Sequence, residues 1–158
     1  MVRPSVYLET TVVSYYTALP SRDIVVLAHQ QLTAEWWHRH MHDYEVLVSA
    51  LVLEEAAQGN EAAAQRRLEA MEDFPVLEIT QEAENLASVY KDQIAVLADS
   101  GRDALHLAIA SASGADYLVT WNCRHIARAI VRRELEGIND QQGIATPTVC
   151  TPEELLGT

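Results

Sequence analysis

The sequence predicts a three-layer α/β/α domain on a five-stranded parallel sheet. Short apolar runs rich in Val and Tyr alternate with longer helix-period segments, a pattern that implies right-handed crossovers between parallel strands. The strands read as continuous apolar runs rather than alternating ones, as expected of a sheet covered on both faces. No internal repeat, low-complexity tract or linker interrupts the alternation, so residues 1–158 are expected to form one domain.

Taken in order, Ser5-Val6-Tyr7-Leu8 is the first strand, followed by Glu9-Thr10-Thr11 and a short helix through Tyr16. Pro20-Ser21-Arg22 breaks the chain, with Ser21 as expected N-cap of a long helix from Ile24 to His40. Tyr44 to Ser49 is the second strand and leads into a helix near Leu51 to Gln58. Gly59-Asn60 stops that helix, and Glu61 to Met71 forms the next. Pro75 to Ile79 is the third strand, and Thr80 caps a helix over Gln81 to Ala98. Ser100-Gly101-Arg102-Asp103 opens a further helix, which Gly114 ends. Asp116 to Thr120 is the fourth strand, Ile126 to Glu136 a helix, and Pro147 to Cys150 the fifth strand. Thr151-Pro152-Glu153-Glu154 combines a capping box with proline at the first helical position.

Composition narrows the function. With 11 basic and 23 acidic side chains the formal charge is −12, so no broad basic face exists to drive non-specific nucleic-acid binding. All the basic residues except Lys91 are arginines, whose forked guanidinium suits local phosphate contacts. An acidic protein can also meet a polyanion through a bridging cation. Cys123 and Cys150 form neither a disulfide framework nor a Cys-x-x-Cys zinc or redox pair, and are expected to be free thiols. No stretch approaches a membrane span, and the opening residues carry no signal-peptide core. A cytoplasmic protein without membrane contact is expected.

In open parallel sheets, function gathers at the carboxyl ends of the strands. Glu9 follows the first strand, Ser49 and then Glu54-Glu55 the second, and Thr120-Trp121-Asn122 the fourth, while Asp103 opens the preceding helix. Carboxylates about 4 Å apart repel by roughly 4 kcal/mol at an effective dielectric near 20, so such a cluster needs a proton or a cation. Hard oxygen ligands suit Mg2+ or Mn2+. Each member also has a structural reading: Asp103 lies at capping-box spacing from Ser100, Asn122 can cap a helix, and either Glu54 or Glu55 can face inward. Glu9 is the hardest to explain structurally, because a carboxylate directly after a buried strand needs a partner.

Tyr7-Leu8-Glu9-Thr10-Thr11-Val12-Val13-Ser14, Ser49-Ala50-Leu51-Val52-Leu53-Glu54-Glu55, Asp103-Ala104-Leu105-His106-Leu107-Ala108-Ile109-Ala110 and Asp116-Tyr117-Leu118-Val119-Thr120-Trp121-Asn122 resemble, in order and spacing, the successive motifs of PIN domains. Within that family the chain is most similar to VapC-type toxins of bacterial toxin–antitoxin pairs. The resemblance spans Val6 to about Leu155 and implies strand order 3-2-1-4-5. It also implies a divalent-metal endoribonuclease, a homodimer and a cognate antitoxin. The family's four acidic positions fall on Glu9, Glu55, Asp103 and Asn122; Glu9 is one methylene longer than the usual aspartate, and Asn122 gives up a charge. The implied chemistry is metal-assisted phosphodiester hydrolysis, with Mg2+ or Mn2+ held by Glu9 and Asp103, Glu55 positioning that ion or a second one, and Asn122 aligning water. Thr11 and Thr120 stand where hydroxyls would orient the ligands. The alternative implied by Glu9 and Asn122 is a PIN-like binding module without nuclease activity.

Other features are read more simply. His38, His40 and His42 are expected to answer a helix C-terminus rather than hold zinc, since no His-Glu-x-x-His motif is present. Trp36 and Trp37 are assigned to core or dimer surface, with Tyr16 as a further exposed aromatic. His106 is expected to pack near the site. Arg124, Arg128 and Arg132, spaced by four, are read as one helical stripe and as candidate RNA-backbone contacts. A phospho-receiver domain is excluded because Lys91 is far from the end of the fifth strand.

Overall fold

A computed structural model describes residues 2–157. Five strands, β1 (Ser5–Leu8), β2 (Glu45–Ser49), β3 (Val76–Leu77), β4 (Tyr117–Val119) and β5 (Thr148–Cys150), form one sheet in the order β3-β2-β1-β4-β5. Every pairing is parallel, with Val6 opposite Val46 on one side and Tyr117 on the other. Seven helices connect and flank them: α1 (Thr10–Thr17), α2 (Ile24–Arg39), α3 (Ala50–Ala56), α4 (Glu61–Ala70), α5 (Gln81–Gln93), α6 (Gly101–Ser113) and α7 (Ala129–Gln142). Val6, Tyr7 and Leu8 of the central strand are fully buried, as are Leu118 and Val119 beside them. This is the expected α/β/α fold with the expected strand order. The chain builds outward from β1 through β2 to β3, then returns to the other side of β1, which puts the switch in strand order at the carboxyl ends of β1 and β4.

Several boundaries differ from the sequence expectation: α7 runs on to Gln142, past the expected Glu136, until Gly143 ends it at φ 70°, and four others have local reasons. Asp23, not Ser21, caps α2: Asp23 Oδ1 accepts from the amides of Val25 (2.9 Å) and Val26 (3.0 Å), while Ser21 Oγ accepts from the Asp23 amide. β3 shortens to two residues because its partner β2 turns into α3 at Ser49, the residue opposite Leu77. α5 stops at Gln93, where Ile94 takes an extended backbone before the 3-10 turn Ala95–Leu97. α7 starts at Ala129 rather than Ile126, because Asn122 holds a turn segment through its side chain to the His125 amide (3.1 Å) and its carbonyl to the Ala127 amide (2.9 Å). Gly114 ends α6 as expected, in the left-handed region at φ 75° that a Cβ disfavours.

The late start of α7 removes the helical stripe of arginines. Arg124 lies in the turn, Arg128 at the extended N-cap position, and only Arg132 on the helix, where its Nε donates to the Ala127 carbonyl (2.9 Å). Arg124 and Arg128 are exposed. The histidines are also redistributed: His38 is on α2 near Tyr16 (3.5 Å), whereas His42 is in the following 3-10 turn, Met41–Asp43, beside Asp43. The shared helix face required for a zinc pair is therefore not formed. Trp36 is fully buried in the core; Trp37 is partly buried and stacks on Tyr16 at 4.1 Å.

Candidate metal centre

At the switch point the strand hydrogen bonding runs one residue past β1: the Glu9 amide donates to the Val119 carbonyl (3.0 Å) before α1 begins at Thr10. Glu9 is thereby fixed in the cleft between β1 and β4, only 4% exposed. Its charge is compensated by hydroxyls. Thr11 Oγ1 and Thr120 Oγ1 both donate to Glu9 Oε1, at 2.5 and 2.6 Å. Each hydroxyl in turn accepts a backbone amide, Thr11 from Trp121 (2.8 Å) and Thr120 from Asn122 (2.9 Å), so each directs its single proton at the carboxylate. Both of these bonds fall on Oε1. Among the described residues no donor reaches Oε2.

Glu55 approaches from α3, whose first turn is set by Ser49 Oγ accepting the Val52 amide (3.2 Å). Glu55 Oε1 accepts from Thr10 Oγ1 (2.5 Å) and lies 2.7 Å from His106 Nε2, and Arg102 Nη1 stands 3.6 Å from Oε2. Burial alone would raise the Glu55 carboxyl; the His106 and Thr10 bonds and the nearby Arg102 charge outweigh it and hold the group below its ordinary value. Glu54 points outward to an exposed pair with Arg102. Of the two adjacent glutamates, Glu55 is therefore the inward one.

Glu9, Glu55 and His106 each bring a ligand atom within 4.8 Å of the others, and among the described residues this is the one such cluster of acidic, His or Cys side chains. Asp103 stands outside it. Its Oδ1 accepts from Asn122 Nδ2 (3.1 Å) and its Oδ2 lies 2.9 Å from His125 Nδ1. Ser100 makes no side-chain cap, so the capping-box spacing is not used and Asp103 faces the turn after β4 instead. The Thr120 hydroxyl bridges the two halves, touching Glu9 directly and Asn122 through its amide.

The donor set fits a hard divalent cation. Glu9 and Glu55 would hold it, Glu9 with Oε1 pinned by the Thr11 and Thr120 hydroxyls, and Glu55 with Oε1 against Thr10 and His106 and Oε2 3.6 Å from Arg102. Sequence reasoning did not find Thr10, Arg102 or His125. Thr10 and Thr11 lie in one Glu-Thr-Thr run, yet their hydroxyls serve different carboxylates, a division set by the start of α1. Arg102 supplies a positive charge beside Glu55. His125 is brought back to Asp103 by the Asn122 turn, which no periodicity announces.

No protein-family model matches the chain, and no curated protein matches it in sequence. Solved structures do. VapC20 of Mycobacterium tuberculosis, described as a toxin that cleaves the Sarcin-Ricin loop, superposes with a TM-score of 0.61 at 16% identity, covering 79% of this chain and 95% of that one. VapBC2 from Rickettsia felis, solved on a DNA fragment from its promoter, is a more distant match, with a TM-score of 0.49 at 15% identity over 92% and 97% of the two chains. The chain has the PIN-like α/β/α fold of the VapC20 structure, with a carboxylate pair at the carboxyl ends of its central strands.

Proposed function

We propose that the protein is a divalent-metal-dependent endoribonuclease, the toxin of a toxin–antitoxin pair, with Mg2+ or Mn2+ as cofactor. The observation that carries this reading is the convergence of Glu9 and Glu55 at the switch point of a PIN-like sheet. A divalent ion bound there supplies Lewis acidity toward a phosphodiester and lowers the pKa of water. Glu9 and Glu55 bind; Thr10, Thr11 and Thr120 orient them; Asp103 and Asn122 form a second polar wall in which Asn122 aligns water. Arg124 and Arg128, exposed after Asn122, would make the RNA-backbone contacts, and Arg132 bonds the Ala127 carbonyl of the same segment. The location that fits this reading is the cytoplasm; among the described residues no helix is long and apolar enough to cross a membrane.

Asp103 tests the second wall. Asp103→Asn retains an oxygen for Asn122 and leaves the core untouched, so the fold should persist while metal-dependent RNA cleavage falls by about 10–100-fold, the usual loss for a group that orients a metal site. Cleavage at the wild-type rate, with contaminating nuclease excluded, would remove Asp103 and Asn122 from the site. The competing reading, a binding module without catalysis, is favoured by one observation: Asp103 is bonded to a neutral amide and an imidazole rather than joined to the carboxylate pair. RNA retention without cleavage in saturating Mg2+ or Mn2+ would select it.

A homodimer and a cognate antitoxin complete the proposal. Leu19, Ile24 and Val25, 75%, 81% and 60% exposed around the start of α2, provide apolar surface that a monomer leaves in water. Sedimentation equilibrium at micromolar concentration should give twice 17.6 kDa; a monomer mass alone would refute the dimer.

A further inference from the structure

A buried chain of side chains, Ser49–Tyr7–His106–Glu55, runs from the sheet interior to the carboxylate pair. From it we infer that His106 is a positioning residue: in its neutral Nε2–H tautomer it donates to Glu55 and aims that carboxylate, and it is not itself a metal ligand. The consequence for metal binding rests on the metal-centre reading above, whereas the proton positions do not.

Tyr7, Ser49 and His106 are all fully buried, so every proton in the chain needs an acceptor within it. Tyr7 Oη lies 2.8 Å from Ser49 Oγ and 2.8 Å from His106 Nδ1, and His106 Nε2 lies 2.7 Å from Glu55 Oε1. Ser49 Oγ already accepts the Val52 amide as the cap of α3, and among the described residues its proton has one acceptor, the Tyr7 oxygen. Tyr7 keeps its own proton, because burial first of all, with the Glu9 and Glu55 charges, drives the phenol far above its ordinary pKa. That proton then goes to His106 Nδ1. With Nδ1 an acceptor, the ring proton of a neutral imidazole is on Nε2, directed at an ionised Glu55.

The reverse direction fails on both ends. It leaves the Ser49 hydroxyl without an acceptor and sets the Nε2 lone pair against a carboxylate oxygen at 2.7 Å. A ligand role needs that lone pair, and in the self-consistent arrangement a proton occupies it. Thr10 donates to the same Glu55 oxygen, so Oε1 is pinned from two sides, while Oε2 has the Arg102 guanidinium at 3.6 Å. A residue of this kind orients a ligand without touching the ion.

Long-range proton–nitrogen correlation spectra of the uniformly nitrogen-labelled protein, without and with saturating Mg2+, test this directly. His106 should show one tautomer, Nε2 protonated and Nδ1 bare, unchanged when Mg2+ is added. An Nδ1–H tautomer, protonation of both nitrogens, or loss of the Nε2 proton on adding Mg2+ would overturn the inference. Tyr7→Phe, which keeps the ring in the core and removes the proton for Nδ1, should give mixed His106 tautomers and Mg2+ binding weakened about tenfold. A single unchanged tautomer with wild-type Mg2+ affinity in that variant would contradict the relay. Should Mg2+ fail to bind the wild type at all, the metal-centre reading falls, and the tautomer in metal-free protein still decides the direction of the relay.

Discussion

Glu9→Gln is expected to lose metal-dependent RNA cleavage by about 10²–10³-fold, the equivalent of the several kcal/mol that a bound metal supplies to the transition state. The substitution is nearly isosteric, and a glutamine carbonyl still accepts from Thr11 and Thr120, so the switch point keeps its hydrogen bonds. Two charge-assisted bonds weaken, but the repulsion between Glu9 and Glu55 is relieved, roughly 4 kcal/mol for like charges about 4 Å apart at an effective dielectric near 20. Melting in the absence of divalent metal should therefore occur at or above the wild-type temperature. The wild type should gain about 2.7 kcal/mol from Mg2+ or Mn2+ at 100 times its Kd, which is roughly 5–10 °C for a chain of this size. Glu9→Gln should show little of that rise. Wild-type melting curves that coincide with and without millimolar metal would mean that the carboxylate pair binds no cation.

The largest effect on stability is expected at Trp36. The indole is fully buried against Tyr44, and Trp36→Ala should cost about 3–5 kcal/mol, lowering the melting temperature by on the order of 10 °C. Trp36 Nε1 is one of two buried side-chain polar atoms among the described residues with no hydrogen-bond partner. Trp36→Phe removes that donor and retains an aromatic ring, so its cost should fall below about 1.5 kcal/mol. Urea denaturation of the two variants measures both values. An alanine variant as stable as wild type, changed only in its association state, would return Trp36 to a dimer surface.

The sheet was legible because burial on both faces imposes continuous apolar strands, and every strand from Ser5 to Cys150 lies where its Val- and Tyr-rich run predicts. The order came from the PIN resemblance rather than from periodicity, which carries no information on which parallel strands are neighbours. Glu9 was legible for a physical reason: a carboxylate at the end of a buried strand requires donors, and Thr11 and Thr120 are those donors. Glu54 and Glu55 were not separable by sequence, since adjacent helix positions differ in facing by about 100° and the phase is set only where Ser49 starts α3. The arginine stripe and the long α5 failed where a local hydrogen bond or an extended residue broke the helix: the Asn122 turn in one case, Ile94 in the other. The His106 and Arg102 bonds to Glu55 depend on tertiary placement of α6 against α3, which spacing within either helix does not encode.

The most direct measurement is cleavage of end-labelled single-stranded RNA by the purified wild type in Mg2+, in Mn2+ and in excess EDTA, with Glu9→Gln purified in parallel as the control for contaminating nuclease. Glu9 and Glu55 as a metal-binding pair predict discrete internal cuts that require the ion, vanish in EDTA and are lost in the variant. Cleavage that persists in EDTA, or that is equal in the wild type and Glu9→Gln, would contradict the assignment of the switch-point carboxylates as the catalytic centre.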